Sequence, residues 1–339
     1  MKHFLSINDV SRDEALFLLA EATRLKTELR DNAARQRETL AGKTLALVFE
    51  KPSLRTRVSF DVGMNQLGGH AITLGPSEIG LNTRESAADV ARVLGRMADG
   101  IMARVFTHQT VQELSEWAGV PVINGLCDIE HPCQALADIL TLREHKGLEG
   151  RKVVYVGDGN NVCHSLMLLC TKLGVCFAAA TPEHYAPDMA FVHRAREDGE
   201  VELFHDARDA ARGADAVYTD VWTSMGQEEE SARRREVFPP FQVNAALMAE
   251  AKSDAIVLHC LPAHRGEEID GETFEKFATP IFDQAENRLH AQKAVLVWQL
   301  SATHAANDLH GAARDARSLQ PPVSPEDRPY RSTTQTHDV

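Results

Sequence analysis

The chain has 339 residues, of which 43% are hydrophobic and 25% are charged, and its formal net charge at pH 7 is -13. This globular composition is sufficient for two domains of typical size. The acidic balance argues against broad nucleic-acid binding, which depends on basic surfaces and counterion release. No apolar run approaches the roughly 20 residues that a membrane span requires.

The cysteines and the first residues of the chain bear on its compartment. None of the six cysteines forms a C-x-x-C pair, and the chain does not open on a charged-then-apolar signal segment. Reduced thiols and a cytoplasmic location are therefore predicted.

The first half of the chain predicts alternating strands and helices, after an amphipathic helix over residues 11–30. The predicted strands are 45–49, 71–74, 100–104 and 120–124. The predicted helices are 53–67, 86–98, 109–118 and 132–146. Strand–helix units repeated in this way indicate a parallel sheet with helices on both faces.

A charged stretch at 144–151 predicts a junction between a domain at 1–147 and a second domain at 148–312. The predicted strands of the second series are 152–156, 176–180, 201–204, 216–221, 255–260 and a short one near 281–282. Its predicted helices are 161–174, 187–198, 242–252 and about 286–309, the last packing back on the first domain. Residues 313–339 have few apolar side chains to bury, which predicts a disordered tail.

The fold class predicted from this series is α/β, with two doubly wound parallel-sheet domains joined by helices. Ligands of open α/β sheets bind outside the carboxyl ends of the strands. Polar clusters follow six predicted strands, at 53–57, 104, 131–134, 158–161, 220–226 and 259–265. We expect one cleft between the domains to collect all six clusters.

The first cluster, 53–57, places two hydroxyls and two guanidiniums at the predicted start of a helix. Free backbone N–H groups and the helix dipole favour an anion there, and a guanidinium matches phosphate oxygens. Two arginines two positions apart, Arg55 and Arg57, do not share a helix face, which argues against both contacting one phosphate. A solvated helix start is the alternative.

The segment His131-Pro132-Cys133-Gln134 places proline at a first helical position, where its missing N–H is harmless. His131 and Gln134 then lie one turn apart on the same side and suit one small polar ligand. The alternative is a histidine that caps a buried helix. The nearby Asp128 and Glu130 predict a raised pKa for His131.

Three further segments leave alternatives open. Gly157-Asp158-Gly159 resembles the start of a dinucleotide fingerprint, but Val162 stands at the third glycine position, so the signal for NAD is weak. The carboxylate of Asp220 suits an amine, or caps a surface loop.

The segment His259-Cys260-Leu261-Pro262 lacks the partner motifs of a zinc site, so no metal is predicted. Its cysteine is either a nucleophile paired with a histidine or a buried structural thiol.

Taken together, these segments resemble one family. The resemblance is carried by Lys51-Pro52-Ser53-Leu54-Arg55-Thr56-Arg57, by His131-Pro132-Cys133-Gln134, by Asp220 with Ser224-Met225-Gly226, and by His259-Cys260-Leu261-Pro262. They are similar, in the same order over about residues 3–310, to the transcarbamylases. The last two are similar to the ornithine carbamoyltransferases in particular.

The resemblance implies transfer of a carbamoyl group from carbamoyl phosphate to the δ-amine of L-ornithine, giving L-citrulline and phosphate, as in arginine biosynthesis. It implies that Arg104, His131, Cys260 and Arg55 are catalytic. The implied carbamoyl-phosphate site is Ser53, Leu54, Arg55, Thr56, Glu78, Arg104, His131, Gln134, Cys260, Leu261 and Arg288. The implied ornithine site is Asn161, Asp220, Ser224 and Met225.

The resemblance also implies a homotrimer or a multiple of trimers, without cofactor, metal, nucleic acid or membrane. Two positions depart from the family: Leu54 stands where threonine is common, and Glu78 where glutamine often reaches into a neighbouring subunit's site. A carboxylate beside a phosphate repels it unless an arginine neutralises the charge.

Other activities remain open from the sequence. A sister transferase would act on N-acetylornithine, putrescine or aspartate, although aspartate would require further cationic groups. An NAD-dependent oxidoreductase and a non-catalytic binding protein are the alternatives from other classes. The sequence does not distinguish a biosynthetic from a catabolic role.

Overall fold

Two parallel β-sheets organise the protein, and the predicted α/β class is confirmed. The computed structural model describes residues 2–223 and 228–301. The first sheet has four strands, in the spatial order His70–Leu74, Thr44–Phe49, Gly100–Arg104 and Val122–Leu126. The second has five, in the spatial order Val201–Phe204, Cys176–Ala180, Lys152–Val156, Ala216–Thr219 and Ile256–His259. Every pairing within the two sheets is parallel.

The strands agree closely with the prediction, and several helices are shorter or additional. The strands are β1 Thr44–Phe49, β2 His70–Leu74, β3 Gly100–Arg104, β4 Val122–Leu126, β5 Lys152–Val156, β6 Cys176–Ala180, β7 Val201–Phe204, β8 Ala216–Thr219 and β9 Ile256–His259. The helices are α1 Arg12–Gln36, α2 Leu54–Gln66, α3 Pro76–Ile79, α4 Ala87–Leu94, α5 His108–Trp117, α6 Pro132–Lys146, α7 Asn161–Lys172, α8 Met189–Asp198, α9 Ala207–Ala211, α10 Ser231–Val237, α11 Ala245–Met248, α12 Gly271–Lys276 and α13 Ala278–Leu300. Short 3-10 helices lie at Ile7–Asp9, Glu228–Glu230 and Pro239–Phe241.

The prediction was wrong in two places near the carboxyl end. The expected short strand at 281–282 lies inside α13, which begins at Ala278, eight residues before the predicted start. Pro280 occupies the first turn of α13, where its missing N–H costs nothing. The helix expected over 242–252 contracts to Ala245–Met248.

Four short helices, α3, α9, α10 and α12, were not predicted. Each has four to seven residues, which is too short to show a helical period of apolar residues.

The long helix α13 joins the two sheets' layers into one core. It packs against α1, α2 and α6, and it also contacts β9 of the second sheet. Buried side chains of both series, such as Leu18, Met64, Met167 and Val295, belong to one continuous apolar cluster. The exact division at 147/148 stays a prediction, and the predicted tail lies outside the described residues.

The strand register places the site. Phe49 at the end of β1 pairs with Arg104 at the end of β3. In the second sheet, Val156 pairs with Thr219, which pairs with His259. Because these strands end level with one another, the residues that follow them emerge side by side at one edge of each sheet.

No helix within the described ranges is long and apolar enough to cross a membrane.

Candidate active site

One cavity of about 550 Å³ collects the polar ends of strands from both sheets. The predicted site residues that line it are Ser53, Leu54, Arg55, Arg104, His131, Gln134, Asn161, Asp220, Cys260, Leu261 and Arg288. Thr56 lies directly behind this lining and is fully buried. The structure therefore brings together residues separated by more than 230 positions in the sequence.

Three arginines form the cationic part of the cavity, which we call the arginine side (Arg55, Arg104 and Arg288). Arg104 and Arg288 are buried and both donate to the hydroxyl oxygen of Thr56, with Nη–Oγ1 distances of 3.3 and 2.8 Å. Their Nε atoms find no hydrogen-bond partner among the described residues. Burial, followed by repulsion from Arg288 and Arg55, lowers the pKa of Arg104 to about 10. A bound anion would relieve both the repulsion and the missing hydrogen bonds.

His131 begins α6 and is buried against the arginine side, with Pro132 at the first helical position. Its backbone N–H donates to Ser165 Oγ at 2.8 Å, while its Nδ1 has no partner among the described residues. Burial and then the charges of Arg288, Arg104 and Arg55 hold the pKa of His131 well below its usual 6.5. The imidazole is therefore neutral at physiological pH.

The prediction that acidic neighbours raise the pKa of His131 was wrong. The carboxylate of Glu130 turns away to accept hydrogen bonds from the hydroxyls of Ser6 and Ser165. Asp128 accepts from the backbone of His108 at 2.7 Å. Although Asp128 and Glu130 are close to His131 in sequence, their carboxylates do not act on its imidazole ring.

A second part of the cavity carries a carboxylate in place of cations. We call it the carboxylate side (Asn160, Asp220 and Cys260). Asp220 is buried, and its two carboxylate oxygens accept from the Cys260 thiol at 2.9 Å and from the Asn160 amide at 3.1 Å. The backbone N–H of Val221 adds a third donor at 2.8 Å. This carboxylate is held in place and suits a cationic or amine-bearing ligand.

The state of Cys260 argues against a covalent role. Burial, and then the nearby charge of Asp220, raises the pKa of its thiol well above 9. Because the thiolate is the nucleophilic form, a thiol held protonated is a poor nucleophile. The thiol instead serves as a hydrogen-bond donor to Asp220.

His259 anchors the loop that carries Cys260. Its Nε2 donates to Glu268 Oε1 at 3.0 Å, and its Nδ1 accepts from the N–H of Leu261 at 2.9 Å. Leu261 has φ +58, a left-handed conformation that leucine rarely adopts. Asp220, His259 and Cys260 have ligand-type atoms within 4.8 Å of one another. However, both imidazole nitrogens are already engaged, so the trio offers no free imidazole to a metal.

The glycine pair after β5 has a packing explanation. A Cβ at Gly159 would lie 2.2 Å from the backbone nitrogen of Pro187, so any larger residue would collide with the chain there. Asn160 caps α7 through its side-chain oxygen. The Asp158 carboxylate accepts from Arg234 at 2.8 Å. These contacts account for the residues that suggested a dinucleotide.

Some of the residues that the sequence associates with the site do not line the cavity, and others lie outside the described residues. Arg57 is exposed and is not part of the cavity lining, in agreement with the argument that two arginines two apart face different ways. Glu78 is also exposed and accepts from the backbone N–H of Gly75 at 2.6 Å. Ser224 and Met225 lie outside the described residues, so their predicted role stays a prediction.

Lys51 and Asn160 are among the cavity-lining residues to which the sequence assigned no role. Lys51 belongs to the same motif as Arg55, and burial followed by the charge of Arg104 lowers its pKa. Asn160 orients Asp220, and its place before a predicted helix, a typical capping position, is the signal that could have identified it.

Comparison with known proteins gives two matching family descriptions. Residues 2–144 match the aspartate/ornithine carbamoyltransferase, carbamoyl-P binding domain. Residues 149–299 match the aspartate/ornithine carbamoyltransferase, Asp/Orn binding domain. Together the two matches account for most of the chain.

Individual relatives agree. The ornithine carbamoyltransferase of Thermococcus kodakarensis is 51% identical over 298 residues, covering 86% of this chain and 94% of the relative. That of Carboxydothermus hydrogenoformans is 52% identical over 301 residues, covering 87% and 96%.

The solved structure of ornithine carbamoyltransferase from Pyrococcus furiosus superposes with a TM-score of 0.84 at 50% identity, covering 88% of this chain and 97% of that one. Since both halves match in the right order and relatives are matched over nearly their full length, the chain belongs to the aspartate/ornithine carbamoyltransferase family.

Proposed function

We propose that this protein transfers the carbamoyl group of carbamoyl phosphate to the δ-amine of L-ornithine, giving L-citrulline and inorganic phosphate. One observation carries the proposal. A single cavity holds the arginine side, with unsatisfied N–H donors, together with the buried Asp220–Cys260 pair. The first matches a phosphorylated donor, and the second matches an amine-bearing acceptor.

The donor lies against the start of α2 and the arginine side. Ser53 is the N-cap of α2 and makes no side-chain capping hydrogen bond, so its hydroxyl is available to phosphate. Arg55 adds charge to the phosphate end. The Thr56 hydroxyl oxygen accepts from Arg104 and Arg288, so its proton is directed to a further acceptor, such as an oxygen of the donor.

The chemical step is attack of the δ-nitrogen on the carbonyl carbon. The carbonyl oxygen becomes an oxyanion, for which Arg104 and the neutral His131 supply hydrogen bonds. The bond between the carbonyl carbon and the phosphate oxygen then breaks, the phosphate leaves beside Arg55, and the amine proton passes to the departing phosphate. Donors placed for a developing oxyanion are typically worth about 10²–10³ in rate each.

The attacking amine must be neutral, although a free amine of this type has a pKa near ~10.4. Desolvation in the cavity and the nearby guanidiniums disfavour its charged form. Asp220 pairs with the α-ammonium group, which remains cationic. Holding both substrates in one cavity removes much of the entropic cost of their encounter.

A homo-oligomer, with a trimer as its unit, belongs to the same proposal. The side chains of Leu54, Val58 and Val62 are 75%, 50% and 38% exposed, and they recur every four residues along one face of α2. An apolar face beside the cavity supports burial against a second copy. The six cysteines are all free, which supports a reducing compartment such as the cytoplasm.

The test is formation of the carbamoylated product, together with release of phosphate, from carbamoyl phosphate and a panel of acceptors; the product is citrulline only with ornithine. L-ornithine should have the highest kcat/KM, and putrescine, N-acetylornithine and aspartate should be far slower. Putrescine lacks the α-carboxylate, so its comparison with ornithine reports on recognition of the amino-acid end. Faster turnover of any other acceptor would replace ornithine in the proposal.

A further inference from the structure

Behind the cavity, a buried polar seam joins α6 to α13. On α6, Gln134, Asp138 and Thr141 follow one another at spacings of four and three residues and share a face. On α13, Gln284 and Asn287 hydrogen-bond to Asp138 and Thr141. All five side chains are 0–1% exposed, and of the five only Gln134 lines the cavity.

Asp138 is the centre of this seam. Its Oδ1 accepts from Gln134 Nε2 at 2.7 Å and from Gln284 Nε2 at 2.6 Å. The Oε1 of Gln284 accepts in turn from the backbone N–H of His259 at 2.7 Å. Since His259 immediately precedes Cys260, the carboxyl group of Asp138 is linked both to Gln134, which lines the cavity, and to the backbone beside Cys260 on the carboxylate side.

The two polar atoms of the Gln134 side chain differ, because its nitrogen is hydrogen-bonded to Asp138 whereas its oxygen is not engaged in the seam. Oε1 is buried and accepts no hydrogen bond from any described residue, although buried carbonyl oxygens normally have a donor. If the amide turned over, this oxygen would meet Oδ1 of Asp138, and two acceptors would be in contact. Asp138 therefore fixes the orientation in which Gln134 presents an acceptor to the cavity.

We propose that Asp138 is a positioning residue for donor recognition, which holds Gln134 so that Oε1 accepts an N–H from the amino group of the carbamoyl donor. This rests on the proposed function, because it concerns the same donor. Burial raises the pKa of Asp138 to about 7, against the opposing effect of the two glutamine hydrogen bonds. An Oδ1 acceptor serves in either protonation state.

The consequence is discrimination between an amino group and a methyl group of similar size. A site built to hydrogen-bond a substrate group rejects the analogue that lacks it, because its own polar atom is left unpaired. The probe is acetyl phosphate, which carries a methyl group in place of the amino group. The measured quantity is the ratio of its inhibition constant to the KM for carbamoyl phosphate.

Asp138→Leu removes the acceptor and keeps the branched shape of the side chain. The discrimination ratio should fall about tenfold or more, while the inhibition constant for inorganic phosphate stays within about twofold, since the phosphate end is untouched. Thr141→Val is the matched control: it breaks a buried hydrogen bond to Asn287 in the same seam without contacting Gln134. It should lower thermal stability and keep the wild-type ratio.

Two further variants distinguish the proposed positioning role from a general loss of stability. Asp138→Asn still offers an oxygen to both glutamines, so it should keep most of the discrimination ratio. This variant also serves as the test if Asp138→Leu does not fold. A folded Asp138→Asn whose ratio drops to that of Gln134→Leu overturns the proposal. In the double variant Gln134→Leu/Asp138→Leu, the ratio should be no lower than in Gln134→Leu alone, because Asp138 acts through Gln134.

The outcomes also separate the two proposals. Absence of citrulline formation by the wild-type enzyme removes the proposed function. Normal wild-type turnover, with an unchanged ratio in Asp138→Leu or with additive losses in the double variant, overturns only the positioning role.

Discussion

The arginine side and the carboxylate side of the cavity are both buried, but they are built in opposite ways. On the arginine side, burial and then the crowding of like charges lower the pKa values of Arg104 and His131. On the carboxylate side, Asp220 receives donors from the thiol of Cys260 and the amide of Asn160. The first is incomplete without an anion, whereas the second is a satisfied hydrogen-bonding unit.

The two sides therefore recognise their substrates through different interactions. Repulsion between the crowded cations lowers the free energy of unfolding, and binding of a phosphate compound offsets this loss. Destabilisation of this kind is common at functional sites. A pre-organised carboxylate instead fixes the direction of an amine. Mutations should therefore separate into those that remove charge stabilisation and those that alter acceptor affinity.

The largest effect is expected from Arg104→Met, which removes the charge and retains much of the volume. The value of kcat should fall about 10²–10³-fold, equivalent to ~3–4 kcal/mol of transition-state stabilisation. The free energy of unfolding should not fall, since repulsion on the arginine side is relieved. Steady-state kinetics and urea unfolding measure the two quantities.

Arg143→Ala is the control for Arg104→Met, because Arg143 is partly buried and donates to the carbonyl of Leu19 at 2.7 Å, away from the cavity. It should lose stability and keep kcat per folded molecule. Near-normal kcat in Arg104→Met would remove Arg104 from the mechanism.

Asp220→Asn tests the carboxylate side at constant shape. The KM for ornithine should rise about 10- to 100-fold, the range of a charge-assisted hydrogen bond, while the KM for carbamoyl phosphate changes little. Asp215→Asn is the control: Asp215 is buried just before β8 but pairs with Lys252, so its loss should affect stability only. An equal rise in both KM values would contradict the division into two sides.

Cys260→Ser should have a smaller effect. A hydroxyl still donates to Asp220, so kcat/KM for ornithine should fall about three- to tenfold, the effect of perturbing one hydrogen bond. Mass spectrometry of the enzyme quenched during turnover should show no added carbamoyl group. Complete loss of activity together with a trapped adduct would establish a covalent nucleophile instead.

The smallest effect concerns the titration of His131. Burial and three arginines lower its pKa, so in the phosphate-free enzyme the ring should still be neutral at pH 6.5, the ordinary midpoint of a histidine. NMR spectra of the ring protons, assigned with His131→Gln, measure this directly. A midpoint at or above the ordinary 6.5 would show that the arginine side does not act on His131.

Much of the fold was predictable because its signals are local. Largely apolar segments of four to six residues predicted the nine strands of the two sheets, and Pro132 predicted the start of α6 to the residue. The error at 281–282 arose because a proline beside two apolar residues is equally compatible with a strand boundary and a first helical turn. Helices of four to seven residues carry too few apolar positions to be recognised.

The order of residues along the chain shows which polar clusters follow which strands, and a parallel sheet then requires these clusters to meet at one edge. Their chemistry, in contrast, depends on how the folded chain packs. This packing places Arg288 beside Thr56, turns Glu130 away from His131, and brings Gln284 to Asp138 from 146 positions away. Charge, protonation and hydrogen-bond orientation depend on distances and burial in space, and spacing along the chain does not contain them.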